Sequence, residues 1–248
     1  MVSKLEISDI SKYYDRKLAI KDVSFTLNSK EILGIFGPNG AGKSTLFSMI
    51  VGDLTPTSGS ILLDDEDITL LKPFERARRG LGYLPQESSI FRGLTVEQNI
   101  YCVLELYEKD RHKKIQDLEY LLSKFDIARL RKEKGYYLSG GEKRRVEIAR
   151  ALAAKPKFLL LDEPLAAVDP ITIQGIKAII KELKDMNIGI IITDHNVKET
   201  LDMIDSLIII HNHKVLVAGK PKDVMRHPDV KKYYLGQFDQ NDEGKNLL

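Results

Sequence analysis

The chain has 248 residues, enough for one large domain or two small ones, and its 43% apolar content can fill a substantial core. Its 38 basic and 36 acidic residues leave a formal net charge of +2, which argues against a dedicated nucleic-acid binder, since that function calls for a clear basic excess. One cysteine, Cys102, rules out an internal disulfide and fits a reducing compartment, where it is expected as a small buried apolar residue.

The N-terminal residues 1–6 hold no apolar core of signal-peptide length. The longest apolar runs, such as residues 188–193 and 207–210, are strand-sized and far short of a bilayer span. The expectation is a cytosolic protein that reaches a membrane only through partners. Residues 3–30 read as strands, because 5–8 and 19–27 each alternate apolar with polar positions, as half-exposed antiparallel pairs do. Between them Lys12-Tyr13-Tyr14-Asp15-Arg16 reads as a charged turn. Its adjacent tyrosines offer a face on which a purine can stack, although surface packing is the plainer explanation. Asn28-Ser29-Lys30 turns into Ile32-Leu33-Gly34-Ile35-Phe36, an apolar run expected as a buried strand.

Gly37-Pro38-Asn39-Gly40-Ala41-Gly42-Lys43-Ser44-Thr45 follows that strand and precedes residues 46–51, which continue as a helix. This is the strand, glycine-rich loop and helix setting that the G-x-x-x-x-G-K-[ST] pattern requires. Gly37, Gly40 and Gly42 free the backbone to take positive φ and curl its N–H groups round an anion. The helix starting near Lys43 adds unpaired N–H donors and the positive end of its dipole. Lys43 sets a compact positive charge against the β- and γ-phosphates, and the Ser44 hydroxyl is a ligand for Mg²⁺. An ordinary glycine turn has no need of the Lys-Ser pair. The chain is expected to bind a nucleoside triphosphate.

Residues 56–59 read as a turn and 61–63 as a short strand, and Asp64-Asp65-Glu66-Asp67 as a solvated rim rather than a metal site. Residues 80–84 read as another short strand, ending at Pro85-Gln86. From residue 87 to about 150 the character becomes helical. Thr95-Val96-Glu97-Gln98 has capping-box spacing, and residues 105–134 carry leucines at helical intervals among solvated charges. Leu138-Ser139-Gly140-Gly141-Glu142 leads into a strong helix over 144–153. Small residues at a helix N-terminus make a second anion site. It has no lysine of its own, which makes sense if another surface supplies the charge.

Phe158-Leu159-Leu160-Leu161 fits a central parallel strand covered on both faces. The Asp162-Glu163-Pro164 that follows puts carboxylates where open α/β sheets bind ligands. The arrangement returns at 188–192, ending in Thr193-Asp194-His195-Asn196. Residues 206–210 and 215–218 flank His211-Asn212-His213-Lys214 as a hairpin, and no nearby Cys or His completes a metal set with the two histidines. Two short helical stretches follow Pro221, and residues 237–245 are expected as a disordered polar tail.

Phosphoryl transfer from ATP to water needs a held Mg²⁺, an oriented water and neutralised transition-state charge. Asp162 is the expected partner of the Mg²⁺ that Ser44 holds. Glu163 is positioned to take a proton from the attacking water. Gln86 and His195 each sit just past a short strand and within reach of the same γ-phosphate, Gln86 also as a metal ligand and His195 as a phosphate sensor.

In this order, residues 37–45, Gln86, 138–142, 158–163, Val168-Asp169 and His195 resemble the motifs of the ATP-binding-cassette (ABC) ATPases, over most of the chain. The resemblance implies an α/β P-loop NTPase fold: an ABC ATPase core with a mostly parallel sheet, an N-terminal antiparallel β subdomain and a helical subdomain. It implies one nucleotide-binding domain over 1–248, with the core and β subdomain at 1–86 and 151–236, the helical subdomain at 87–150 and a polar tail at 237–248. It implies a homodimer closed head to tail, ATP lying between one copy's phosphate loop and the other's Ser139-Gly140-Gly141. Tyr14 is then the adenine-stacking aromatic and Asp169 a contact across the dimer. Transmembrane permease subunits are expected to touch residues 86–92 and the helical subdomain, holding the protein on the cytoplasmic face of the inner membrane.

Within the family, residues 76–92, 140–150, 193–197 and Tyr234-Leu235-Gly236 resemble the ATPase subunits of lipopolysaccharide exporters. The alternatives are branched-chain amino-acid importer ATPases, which share the Tyr-Leu-Gly pattern, and soluble cassette ATPases of assembly or repair. Lys30 takes a place usually held by glycine, which implies a differently shaped turn. Leu165 and Ala167 stand for the usual Phe and Gly.

Overall fold

A computed structural model describes residues 2–166, 169–194 and 197–234. The chain opens with two long strands, β1 (Lys4–Tyr14) and β2 (Lys17–Asn28), paired antiparallel with Leu5 opposite Leu27 and Tyr14 opposite Lys17. The turn between them is only Asp15 and Arg16. Tyr13 and Tyr14 therefore end a strand instead of lying in the wider turn expected there. Strand pairing continues past the last alternating residue because the ladder, not side-chain burial, sets its end. β3 (Ile32–Phe36) is buried at every position, and the turn before it holds Lys30 at φ 68°, within the region that glycine favours.

The elements after β3 follow in order. They are α1 (Lys43–Val51), β4 (Ser58–Leu63), β5 (Glu66–Asp67), α2 (Pro73–Arg79), β6 (Leu81–Leu84), α3 (Val96–Tyr107) and α4 (Arg111–Lys124). Then come α5 (Gly140–Ala153), β7 (Phe158–Asp162), α6 (Pro170–Asp185), β8 (Gly189–Thr193) and α7 (Val197–Thr200). β9 (Ser206–His211), β10 (Lys214–Gly219), α8 (Pro221–Arg226) and α9 (Pro228–Tyr233) complete the described chain. β2, β1, β4 and β5 form one antiparallel sheet; the second runs β10-β9-β3-β8-β7-β6, parallel except for the β9–β10 hairpin.

Because side chains alternate along a strand, the parallel sheet feeds two cores. Phe158, Leu160 and Ile191 join Leu46, Phe47 and Ile50 of α1 and the inner face of the antiparallel sheet. Leu159, Leu161, Ile190 and Ile192 point the other way, onto residues of α3, α4, α5 and α6. Each such Leu or Ile, fully buried, contributes about 1.5–3 kcal/mol. This double coverage explains why the core strands read as continuous apolar runs. The acid run at 64–67 is exposed, with Asp64 accepting from Lys157 Nζ at 2.6 Å and Lys4 N at 2.8 Å. Cys102 is half-buried rather than buried; its thiol donates to Asn99 O, and burial pushes its pKa up.

Two buried polar side chains fasten the scaffold. Arg76 of α2, 1% exposed, donates to Met49 O at 2.6 Å and Ile50 O at 2.7 Å, satisfying carbonyls at the C-terminal end of α1. Burial pushes its pKa down to about 10. Asn99 of α3 is wholly buried; its amide accepts from Phe91 N at 2.9 Å and donates to Phe91 O, Leu94 O and Thr95 O. Asn99→Leu should leave Phe91 N without its acceptor and reduce Phe91 O, Leu94 O and Thr95 O to one backbone donor each, costing about 3 kcal/mol and lowering Tm by about 6–12 °C. Calorimetry checks this, and a shift under about 2 °C would show that the loop is held by other means.

Candidate active site

The phosphate loop is shaped by what it packs against. Gly37 (φ 153°) and Gly42 (φ 110°) leave no room for a side chain: a β-carbon would lie 2.1 Å from Ile210 O and 2.5 Å from Ala19 O respectively. The loop thus rests directly on the ends of β9 and β2. Gly42 is the N-cap of α1 and closes no donor with a side chain, so the N-terminus of α1 is presented to a ligand. Lys43 folds back over the loop, its Nζ donating to Gly37 O at 2.7 Å and Pro38 O at 3.0 Å. Burial lowers its pKa, and the nearby Glu163 and Asp162 oppose that shift.

The two acids arrive at the C-terminal end of β7. Thr193 Oγ1 donates to Asp162 Oδ1 at 2.6 Å, from the position opposite Asp162 on β8. Tyr83 OH donates to Asp162 Oδ2 at 3.4 Å, and burial together with that carboxylate pushes the Tyr83 pKa up to about 12. Glu163 turns out of the strand with φ 46°, a conformation that costs a non-glycine residue about 1–2 kcal/mol. Its N–H is held by Thr193 O at 2.9 Å, and its Oε2 accepts from Gln86 Nε2 at 2.7 Å. Strain of this kind, fixed from both sides, is typical of a functional carboxylate.

A cavity of about 300 Å³ joins Tyr14, Asn39, Gly40, Lys43, Ser44, Thr45 and Glu163. Its walls also include Lys17, Leu18, Ala19 and His213, none of which was expected there. Tyr14 stands at the rim, half-exposed, as a stacking face requires. Of the three expected Mg²⁺ ligands, Ser44 lines this cavity, Gln86 lines a second, neighbouring one with Glu163, and Asp162 is among the described lining of neither; all three carry hard oxygen donors. Among the described residues no group of three His, Cys, Asp or Glu could hold a metal. Oxygen donors suit Mg²⁺, which is usually held by one or two carboxylates together with phosphate oxygens and water.

Ser139, Gly140 and Gly141 are not among the described residues that line this cavity, but Gly140 lines the second one, of about 170 Å³, with Gln86 and Glu163. Ser139 caps α5, its Oγ accepting from Glu142 N, while its N–H and hydroxyl both donate to Glu142 Oε2 at 3.0 and 2.9 Å. Gly140 faces open space, whereas Gly141 packs on Thr172. Asp169 caps α6, accepting from Thr172 N at 3.0 Å. His195, Ala167 and Val168 lie outside the described residues, as does the chain from residue 235, including the tail at 237–248.

Behind Gln86 runs a buried relay. Arg144 donates to Pro85 O at 3.0 Å and to Glu147 at 3.3 Å, and Glu147 Oε1 accepts from Ser88 Oγ and Ser89 N at 2.7 Å each. Arg150 reaches Ser89 O at 2.8 Å and lies over the Phe91 ring at 4.9 Å. One helical face of α5 thereby grips residues 85–91. The Arg-x-x-Glu-x-x-Arg spacing that makes this face was readable in the sequence, but its loop partner was not.

Residues 20–166 match the ABC transporter family. The lipopolysaccharide export system ATP-binding protein LptB of Haemophilus influenzae is 49% identical over 238 residues, 95% of this chain and 98% of that protein. Its Escherichia coli K12 namesake is 47% identical over 237 residues, with the same coverage of 95% and 98%. The ADP conformation of an ATP-binding cassette of an ABC transporter superposes with TM-score 0.84 at 29% identity, covering 94% of this chain and 99% of that one. A dimeric post-hydrolysis cassette bound to ADP and Pi superposes with TM-score 0.76 at 25% identity, covering 88% and 98%.

Proposed function

This chain belongs to the ABC transporter family of ATP-binding proteins, and from that membership we propose that it is the ATP-hydrolysing subunit of a lipopolysaccharide exporter. It is an ATPase, and ATPases of this family work as dimers with membrane permease partners. The observation that carries the cargo assignment is the 49% identity to the Haemophilus export protein across nearly the whole of both chains.

In this reading the adenine stacks on Tyr14, and the phosphates lie in the loop Gly37-Pro38-Asn39-Gly40-Ala41-Gly42-Lys43-Ser44-Thr45. Lys43 exchanges its two loop carbonyls for β- and γ-phosphate oxygens. Mg²⁺, held by Ser44, Asp162 and Gln86, supplies charge neutralisation on those oxygens. Glu163 accepts the proton of the attacking water, held at the required angle by Gln86 and Thr193; His195 completes the γ-phosphate contacts. Ser139, Gly140 and Gly141 serve the ATP of a second copy, with Asp169 across the same seam. Their absence from the described walls of the phosphate-loop cavity of their own chain, with Gly140 lining only the second cavity beside Gln86 and Glu163, supports that arrangement. ATP drives closure because it contacts both copies only in the closed state.

The permease contacts fall at residues 86–92 and on the helical subdomain at 87–150. A groove of about 440 Å³ between α2 and α3 supports this, with Phe74 and Leu106 exposed at its lip. Phe91, 51% exposed, stands nearby on the loop that α5 grips. Among the described residues no helix is long and apolar enough to cross a membrane, so attachment to the inner membrane runs through these partners.

The test is to identify the membrane proteins that co-purify in mild detergent and to assay lipopolysaccharide release after depletion. Amino-acid importer subunits in that position would support the importer alternative, and no membrane partner the soluble one. Phe91→Ala should weaken recovery of the permease complex about tenfold or more while leaving the ATP Kd within about twofold. Pull-down and equilibrium binding on the same preparation check it, and the reverse pattern would exclude docking.

A further inference from the structure

His213, on the cavity wall, has no part in the scheme above. In the turn joining β9 and β10, Asn212 and His213 have φ of 48° and 65°. Positive values at both central residues are those of a type I′ hairpin turn, in which the second position is ordinarily glycine. A side chain held there against preference is a mark of ligand sites. Two contacts fix it. Lys21 N donates to His213 O at 2.8 Å, and His213 Nδ1 lies 2.9 Å from Ala19 O. A carbonyl only accepts, so Nδ1 bears a ring proton, and in the tautomer this fixes Nε2 is the acceptor. Ala19 O is also the atom on which Gly42 rests, so the ring and the phosphate loop share one rigid support. The ring lines the same cavity as Tyr14, Lys17 and Thr45.

We infer that His213 contacts the bound nucleotide, its Nε2 accepting a hydrogen bond from a donor at the nucleoside end. The inference rests on the reading that this cavity takes ATP. Two groups of ATP share the donor chemistry, the exocyclic amine of adenine and the ribose hydroxyls. Ionised phosphate oxygens only accept and do not match an acceptor nitrogen. A contact to the amine would also discriminate between bases, because the same ring position of guanine or hypoxanthine carries a carbonyl.

The test compares Kd for ATP, ITP and 2′- and 3′-deoxy-ATP in the wild type, His213→Gly and His213→Asn, with Mg²⁺ present. Both replacements tolerate positive φ, and a thermal melt confirms that the hairpin and fold are kept. His213→Gly should raise the Kd for ATP at least about threefold, one neutral hydrogen bond's worth. Loss of that penalty with ITP assigns the contact to the base amine, and loss with a deoxy nucleotide assigns it to the ribose. A change smaller than about threefold, or the same penalty with all four nucleotides, overturns the inference. Lys43→Ala run alongside separates the two claims. If it keeps ATP affinity the cavity assignment itself fails, and if it loses ATP while His213→Gly does not, only His213 is wrong.

Discussion

Glu163→Gln is expected to cut steady-state ATP turnover about 10²–10⁴-fold while leaving ATP affinity close to that of the wild type. The amide keeps the size of the side chain and can still bond Gln86, so the geometry that holds the residue survives. What is lost is the ability to accept a proton. The backbone at φ 46° and the hydrogen bond to Thr193 O do not depend on the carboxylate, so the fold should melt at an unchanged temperature. With hydrolysis stopped and binding intact, the variant should accumulate an ATP-bound dimer, visible as a doubled mass in light scattering. Turnover within about threefold of the wild type would mean that another group takes the proton. Single subunits only, at saturating ATP, would sink the head-to-tail arrangement.

Lys43→Ala is expected to weaken ATP binding about 100-fold or more, because it removes the one side-chain cation in the loop from a partly buried site. In the free protein that ammonium is satisfied by Gly37 O and Pro38 O and lies near the carboxylates of Asp162 and Glu163. Its removal takes a nearby counter-charge from two acids, so a triphosphate would meet more repulsion. Equilibrium binding with MgATP, paired with a thermal melt, separates lost affinity from lost fold. Retained affinity in a folded variant would contradict the cradle.

What could be read from the sequence was local. The phosphate loop, the capping box at Thr95 and the β9–β10 hairpin each depend on residues within a few positions of one another, and all three stand where expected. The parallel strands were legible because double burial leaves no polar positions between Phe158 and Leu161. The misreading at Lys12 to Arg16 has the opposite cause: once exposed on both faces, a strand loses its pattern, and only the ladder reveals it. Contacts made across the fold were not legible. Gln86 and Glu163 are 77 residues apart, and nothing in either segment specifies a 2.7 Å hydrogen bond. Thr193 meets Asp162 because of strand register, and His213 enters the cavity because its hairpin docks on β2. Arg76 sits in a run of arginines that reads as surface; it is buried because the last carbonyls of α1 need donors.

The cap at Ser139 closes part of the start of α5 from within the subunit. Glu142 already occupies the N–H and hydroxyl of Ser139, and those bonds hold its pKa below the usual carboxylate range, so it stays ionised. A loose phosphate drifting in from solution must evict a tethered rival and gains little by the trade. One delivered already anchored to a second molecule suffers no such handicap, having surrendered its freedom beforehand. In the proposed head-to-tail pairing, the helix end would thereby favour a loaded twin over the cell's free anions.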